Sequence, residues 1–320
     1  MVNNPSIWVL ADDRAGNVAQ CLGVGEALGL AFERKDIAYG VLSKLPNLFL
    51  GASLLGVTPQ TQRQLCAPWP DLVISAGRRT APVARYIKKQ SNGKTKLVQI
   101  MDPGAGGAPD FDLICVPAHD DVSLKINQMK MVGAPHCVTD QKLTKALEEW
   151  QERFSHLKAP RIGLIVGGAT KNKMFSSDMA AALGHSVNEL AKEMDASVLV
   201  TTSRRTGTAA EPLLDKITVP AYRFKWGDEG ENPYFGFLVS SDFLIVTGDS
   251  VSMCSEACAS GKPVYIYAPD GMVSDKHKRL HVSLYEGGYA RPFEGVLEDQ
   301  AGQKLNAAND IASAIRQLFF

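Results

Sequence analysis

The stretch SSDFLIVTGDSVSMCSEACASGKPVYIY, Ser240 to Tyr267, decides the fold. Phe243 to Thr247 (FLIVT) is a short unbroken apolar run, as expected of a strand covered on both faces. Gly248 allows a tight turn. Asp249, Ser250 and Ser252 line the start of the helix that follows, whose N–H groups and dipole favour an anion. Gly261, Lys262 and Pro263 close that helix and open a second apolar strand, Val264 to Tyr267. Strand, turn, helix and strand make one β-α-β unit with a parallel pair. Glu256 lies about two turns beyond Asp249 on the same helix face. There its carboxylate can hydrogen-bond a hydroxyl-rich group such as ribose.

The theme repeats upstream. Arg161 to Val166 (RIGLIV) and Ser197 to Thr201 (SVLVT) are strands followed by the loops GGATKN and TSRRTGT, each leading into a helix. In the first half, Ser6 to Ala11, Asp71 to Ser75, Lys96 to Met101 and Asp112 to Val116 are further buried-strand runs ending in turn chemistry. Thr139 and Asp140 cap a polar helix between the two sets, and Ala159-Pro160 ends it. The expected fold is α/β: two Rossmann-like domains with a central cleft, residues 1–138 and 139–320. The last helix, Asn309 to Leu318, is expected to cross back to the first domain. Ligands of such sheets bind beyond the carboxyl ends of the strands.

The 320 residues are 45% hydrophobic and 21% charged, which excludes disordered and collagen-like chains. Lys plus Arg and Asp plus Glu each number 34, so a basic nucleic-acid coat is absent and no nucleic acid is expected as a partner. The six cysteines lack C-x-x-C spacing and read as reduced thiols of a cytoplasmic protein; no metal is expected. The N-terminus has no basic stretch before its apolar run, and no segment reaches the roughly 18 apolar residues of a membrane span. One region is uneven. From Arg34 to Lys96 there are eleven Lys and Arg against two Asp, beside the apolar run LPNLFLGASLLGV, Leu45 to Val57. An anionic membrane surface or lipid-linked acceptor is the partner such a face suggests.

The strand-end loops hold the remaining candidates. Gly167, Gly168 and Thr170 form a glycine turn that would let backbone N–H groups approach a phosphate. Ser203, Arg204 and Arg205 place two guanidinium groups among hydroxyls, and an Arg fork matches a phosphate. Arg78 and Arg79 are built the same way, with Gly16 and Asn17 on the neighbouring turn. Asp12, Asp13, His119 and Asp120 are the acid–base groups available at the first domain's strand ends.

The Ser240–Tyr267 stretch resembles the nucleotide-binding segment of two-domain GT-B glycosyltransferases. The match is closer still to the elongated-mitochondria fission proteins of plants and their bacterial glycosyltransferase-like relatives. ADDRAGN, LPN with its apolar run, VISAGRRTAPVA, the VPAHDD turn, GAPHCVT, IGLIVGGATK, TTSRRT and NPYFGFLVSSDFLIVTGDSVSMCSEA carry it in order through nearly the whole chain. MDPGAGG departs from the pattern, being Gly-rich where a longer polar turn with a basic residue is expected. The resemblance implies transfer of a sugar from a nucleotide-diphosphate sugar to a glycolipid or cell-envelope acceptor such as lipopolysaccharide core. No separate cofactor is then needed. Gly167, Gly168, Thr170, Ser203, Arg204, Arg205, Gly248, Asp249, Ser250, Ser252 and Glu256 would hold the donor. Gly16, Asn17, Arg78 and Arg79 would face the acceptor, with Asp13, His119 or Asp120 as base. A non-catalytic binding or recruitment module and a nucleotide-sugar epimerase share the same fold and remain open at this point. The location implied is cytoplasmic, peripheral on the inner face of the membrane.

Overall fold

A computed structural model describes residues 4–104, 106–120, 122–298 and 302–320. Asp121 of the VPAHDD turn lies outside the described residues. The chain forms two compact units: residues up to Cys137 together with Asn306–Phe320, and Val138–Leu305.

The first unit carries β1 (Ile7–Ala11), β2 (Glu33–Asp36), β3 (Leu72–Ala76), β4 (Lys96–Ile100), β5 (Leu113–Pro117) and β6 (Gln128–Met131). They form one parallel sheet in the order β2-β1-β3-β4-β5-β6. The central strands are buried on both faces, so the period-two alternation is hidden in apolar runs. Ile7 and Val9 point into a core shared with Leu72, Ile74, Val98 and Ile100. Trp8 and Leu10 point the other way, towards Val73, Leu97 and Ile114. The first of these cores is covered by the helix Ala15–Leu28 and by the last helix, Ala307–Phe319, through Ala308, Ile311, Ala312 and Ile315. Arg316 fastens this last helix by donating to the carbonyls of Ala27 at 2.7 Å and Leu28 at 3.0 Å, the C-terminal end of the first helix.

The second unit carries β7 (Arg161–Val166), β8 (Ser197–Thr202), β9 (Ala221–Phe224), β10 (Phe243–Thr247), β11 (Val264–Tyr267) and β12 (Arg291–Pro292). Its parallel order is β12-β11-β10-β7-β8-β9. Ile162, Leu164 and Val166 pack with Val198, Val200 and Ile245 against Leu183, Val187 and Leu213. Both units are thus doubly wound Rossmann-like sheets.

Four strands have no counterpart among the apolar runs: β2 (ERKD), β6 (QMKM), β9 (AYRF) and β12 (RP). All are outer strands, and apart from the buried Met131 their residues are exposed or half-buried. An edge strand needs neither an unbroken apolar run nor a second neighbour, and charged side chains there discourage pairing with other chains.

Docking of the last helix on the first unit gives a direct test. Ile311→Ala should cost about 2–5 kcal/mol, read as a lower urea midpoint. Gln317→Ala, on the exposed face of the same helix, should leave the midpoint unchanged. Equal midpoints for the two variants would contradict the packing.

Candidate functional site

Each sheet reverses its winding once, between β7 and β10 in the second unit and between β1 and β3 in the first. The crevice beyond such a switch point is where doubly wound sheets bind ligands.

In the second unit the loops after β7, β8 and β10 meet there around a buried carboxylate. Asp249 is 2% exposed. Its Oδ2 accepts the Gly168 N–H at 2.9 Å and lies 2.6 Å from a terminal nitrogen of Arg205. Its Oδ1 is buried with no hydrogen-bond partner. The same Arg205 nitrogen donates to the Ala169 carbonyl at 3.3 Å. Removing Arg205 would leave the enclosed carboxylate uncompensated, which is costly for a buried charge.

The glycine loop serves a different purpose from the one its sequence suggests. All four N–H groups of Gly167–Thr170 are satisfied internally: Gly167 by Thr247 Oγ1 at 2.6 Å, Gly168 by Asp249, Ala169 by the Arg205 carbonyl at 3.0 Å and Thr170 by the Lys173 carbonyl at 2.8 Å. The Gly167 carbonyl accepts both Ser203 Oγ and Thr206 Oγ1 at 2.5 Å. The glycines are there for space. A Cβ at Gly167 would collide with the Asp249 carboxylate. One at Gly168, whose φ is +141°, would collide with the Arg205 backbone. The expectation that these amides face a phosphate is therefore corrected.

The positive charge of the site comes from elsewhere. Ser250 caps the helix Val251–Ala259 by accepting the Met253 N–H at 3.4 Å, and the helix N-terminus opens beside Asp249. Ser252 sits in its first turn. Arg204 is exposed and makes no polar side-chain contact with the described residues. Arg205 is the arginine that joins the cluster.

Glu256, half-buried on the same helix, accepts the Tyr234 hydroxyl at 2.6 Å. Burial raises its pKa above the usual carboxylate range, and the Tyr234 bond opposes that shift. Burial and the Glu256 charge together push the Tyr234 hydroxyl well up. Behind the turn, the helix Asp275–Glu286 presents His277 and His281, four residues apart on one face. A ring nitrogen of His281 lies 2.8 Å from the Gly248 carbonyl, and a Cβ at Gly248 would strike that ring. His277 bonds Ser274 Oγ at 2.8 Å and the Asp249 backbone. Burial holds both imidazoles below their ordinary pKa, with Arg205 and Lys276 adding to the shift at His277.

In the first unit Asp12, buried at the end of β1, accepts the Arg14 N–H and Asn17 Nδ2, both at 2.9 Å. Arg79, from the loop after β3, lies 3.5 Å from Asp12, forks onto Asp13 and stacks over the Tyr39 ring at 4.6 Å. Gly16 is exposed beside Asn17. Arg78 does something else. It donates to the carbonyls of Leu45 at 2.7 Å and Ser43 at 3.2 Å, and to Asn47 at 3.3 Å. Asn47 in turn donates to the carbonyls of Arg78 and Pro103. That pair holds down the loop carrying the apolar run.

The three base candidates do not form one cluster. Asp13 follows β1, whereas His119 and Asp120 follow β5, three strand spacings away in the sheet and so about 14 Å at 4.8 Å each. His119 is 3% exposed, which keeps it from a substrate in this conformation. Its ring nitrogen is 4.0 Å from Asp120. Asp120 lines a cavity of about 660 Å3 together with Asp102, Ser123, Lys125 and Gln128.

The apolar run is only partly in the core, through Val57 and Leu54. Leu48, Phe49 and Leu55 are 68%, 72% and 61% exposed, and only Leu50 and Val57 among its large side chains are fully buried. The nearby positive charge is smaller than the sequence count implies. Arg85 pairs with Asp110, Lys88 and Lys96 with Asp112, Arg34 with Asp36 and Lys35 with Glu33. Lys88 and Lys89 end the helix Ala81–Gln90, which runs back from the carboxyl edge of β3, so they lie at the sheet edge opposite the apolar loop. Lys44 remains exposed immediately before that loop.

Tyr234, Thr206 and Tyr39 were not legible as site residues, nor was the pairing of His277 with His281. Only the histidine pair carries a local signal, its spacing of four.

With this geometry established, the chain can be compared with known proteins. The mitochondrial fission ELM1 family model matches residues 15–319. An uncharacterized protein of Rickettsia prowazekii is 30% identical over 97% of this chain and 98% of its own. The mitochondrial fission protein ELM1 of Arabidopsis thaliana is 28% identical over 84% of this chain and 68% of its own. Among solved structures, the UDP-GlcNAc 2-epimerase of Methanocaldococcus jannaschii matches with a TM-score of 0.57 at 12% identity, covering 98% of this chain and 99% of that one. MurG of Acinetobacter baumannii matches with a TM-score of 0.52 at 12% identity, covering 98% and 92%. At those identities the likeness is one of fold, and the fold is GT-B-like.

The histidines behind the Gly248 turn predict an acid-side instability. An imidazole whose folded pKa is depressed binds its proton more readily when unfolded. Its stabilising contribution is present above the unfolded value of about 6.5 and is lost as pH falls. The thermal midpoint should therefore drop between about pH 7 and pH 5.5, and His281→Gln should drop less. Parallel pH profiles for the two proteins would contradict this role of His281.

Proposed function

The chain belongs to the mitochondrial fission ELM1 family, and we propose that it transfers a sugar from a nucleotide-diphosphate sugar to a glycolipid or cell-envelope acceptor such as lipopolysaccharide core. The observation that carries this reading is the convergence of Arg205, the N-terminus of Val251–Ala259 and the Tyr234-held Glu256 at the switch point of the second sheet. A leaving diphosphate needs positive charge, and a ribose needs an acceptor for its hydroxyls. Arg205 and the helix N-terminus supply the first, and Glu256 the second. On this reading the transfer is metal-independent and needs no cofactor beyond the donor.

A base must take the acceptor proton. Asp13, exposed at the switch point of the first sheet, is proposed for that role. Asp120, on the wall of the cavity beyond β5, is the alternative. A second reading, a module that binds a nucleotide sugar without transferring it, draws on two observations: Asp13 is tied to Arg79, and His119 is buried. The epimerase reading rests on the fold alone.

Donor binding is tested by a thermal-shift screen of nucleoside diphosphates and their sugars. A ligand at 100 times its Kd should stabilise by about 2.7 kcal/mol. Glu256→Ala should weaken nucleotide binding by about 1–3 kcal/mol. No shift with any nucleotide would reject the reading. Release of free nucleoside diphosphate with transfer of label to a membrane extract would separate the transferase from the binding module.

The acceptor side is read as membrane-facing, with the protein on the cytoplasmic face. No described helix is long and apolar enough to cross a membrane, so attachment would be peripheral. Shallow insertion of Leu48, Phe49 and Leu55 would carry most of it, with Lys44 adding a salt-sensitive share. In vesicle sedimentation the protein should bind anionic lipid and keep much of that binding at high salt. Leu48→Asp/Phe49→Asp should abolish it, whereas Lys88→Glu/Lys89→Glu should not. Equal recovery of the wild type and the Leu48/Phe49 variant would move the acceptor to a soluble molecule.

A further inference from the structure

We propose that Asp249 is a positioning residue that holds Arg205 with one guanidinium edge turned to the ligand, making Arg205 the phosphate fork of the second unit. This deepens the donor-binding reading above and rests on it for the identity of the ligand.

A guanidinium has five N–H donors in a rigid plane. One terminal nitrogen is committed to Asp249 Oδ2 at 2.6 Å and the Ala169 carbonyl at 3.3 Å. The other terminal nitrogen and Nε have no partner among the described residues, and the side chain is 34% exposed. Those two nitrogens form the side-on edge, whose parallel N–H groups match two oxygens of one phosphate.

The glycine loop strengthens the case by elimination. Its four amides are all taken, so it offers an anion no backbone donors. Fixed positive potential beyond β7, β8 and β10 then comes from the free edge of Arg205 and the N-terminus of Val251–Ala259.

Asp249 is built for a holding role. It is fully enclosed, so it cannot touch a ligand in solvent, and its Oδ1 makes no hydrogen bond. The carboxylate charge is compensated through Oδ2 alone, by Gly168 N–H and Arg205. Rotation of Arg205 away from Asp249 would strand that charge, so the guanidinium stays anchored. A pre-set fork loses less freedom when it binds. Gly167 and Gly168 make room for this arrangement: a side chain at either would displace the Asp249 carboxylate or the Arg205 backbone.

The experiment measures binding of UDP, uridine and inorganic pyrophosphate by calorimetry to the wild type, Asp249→Asn, Arg205→Lys and the double variant. Asp249→Asn keeps an acceptor for Gly168 N–H but removes the charge that holds Arg205. It should weaken UDP and pyrophosphate by about tenfold or more while leaving uridine unchanged. Arg205→Lys keeps the charge and loses the fork, so it should show the same selective loss. The double variant should be no worse than Arg205→Lys alone, because Asp249 acts through Arg205. Arg205 is part-exposed, so Arg205→Lys keeps the test decisive if Asp249→Asn does not fold.

Equal weakening of UDP and uridine by Asp249→Asn, or additive losses in the double variant, would overturn the proposal. Unchanged UDP affinity in both single variants would overturn it while leaving the donor-binding reading intact. Pyrophosphate binding that depends on both residues, with no preference for any nucleotide, would support the fork and defeat the donor reading. A wild type that binds none of the three defeats both.

Discussion

The enclosed carboxylate of Asp249 is the point on which the second unit's strand ends depend. It comes from the turn after β10, bonds an amide in the loop after β7 and pairs with an arginine in the loop after β8. Three neighbouring strand ends are thereby fixed to one another by two contacts on a single oxygen. The surrounding hydroxyls serve the same end: Thr247, Ser203 and Thr206 saturate both polar groups of Gly167. Such a network is rigid because each member would be left buried and unpaired if another moved.

The first unit repeats the device with different parts. Asp12 sits at the end of β1, buried, and faces Arg79 from the loop after β3, across that sheet's own switch point. Here the carboxylate is shared with the Arg14 amide and Asn17, and the arginine divides itself between Asp12 and Asp13 over the Tyr39 ring. In both units an acidic residue at a strand end orients an arginine from a neighbouring loop. The remaining arginines differ in kind. Arg78 stabilises a loop, and Arg204 stands in solvent.

The exposed leucines and phenylalanine of the loop at 45–57 contrast with these buried pairs. Arg78 and Asn47 fix the loop backbone through carbonyl contacts, which leaves Leu48 and Phe49 facing outward on a held frame. Polar bonds beneath it thus keep an apolar patch at the surface. Several of the basic residues that looked like its companions, Arg34, Lys35, Arg85, Lys88 and Lys96, are turned to local carboxylates, with Lys88 and Lys96 sharing Asp112.

The sequence by itself determined the doubly wound class, the strands of both sheet centres and the helix starts at Thr139 and Ser250. Those features are local: an apolar run buried on two faces, or a hydroxyl before a helix, is written in consecutive residues. It also singled out Gly248, Asp249 and Glu256 around one turn, and the structure turns the Asp249 carboxylate inward, away from solvent. The outer strands were not legible, because ERKD or QMKM become strands only when a neighbour supplies the ladder. Nor were the partners. Tyr234 reaches Glu256 across 22 positions, and Asp249 reaches Gly168 across 81. Only the folded sheets bring such residues together, and they decided that the glycine loop encloses a carboxylate, that Arg205 rather than Arg204 joins the site, and that His119 is buried. Each outcome follows from which strands are neighbours, and strand order is set by packing over the whole unit.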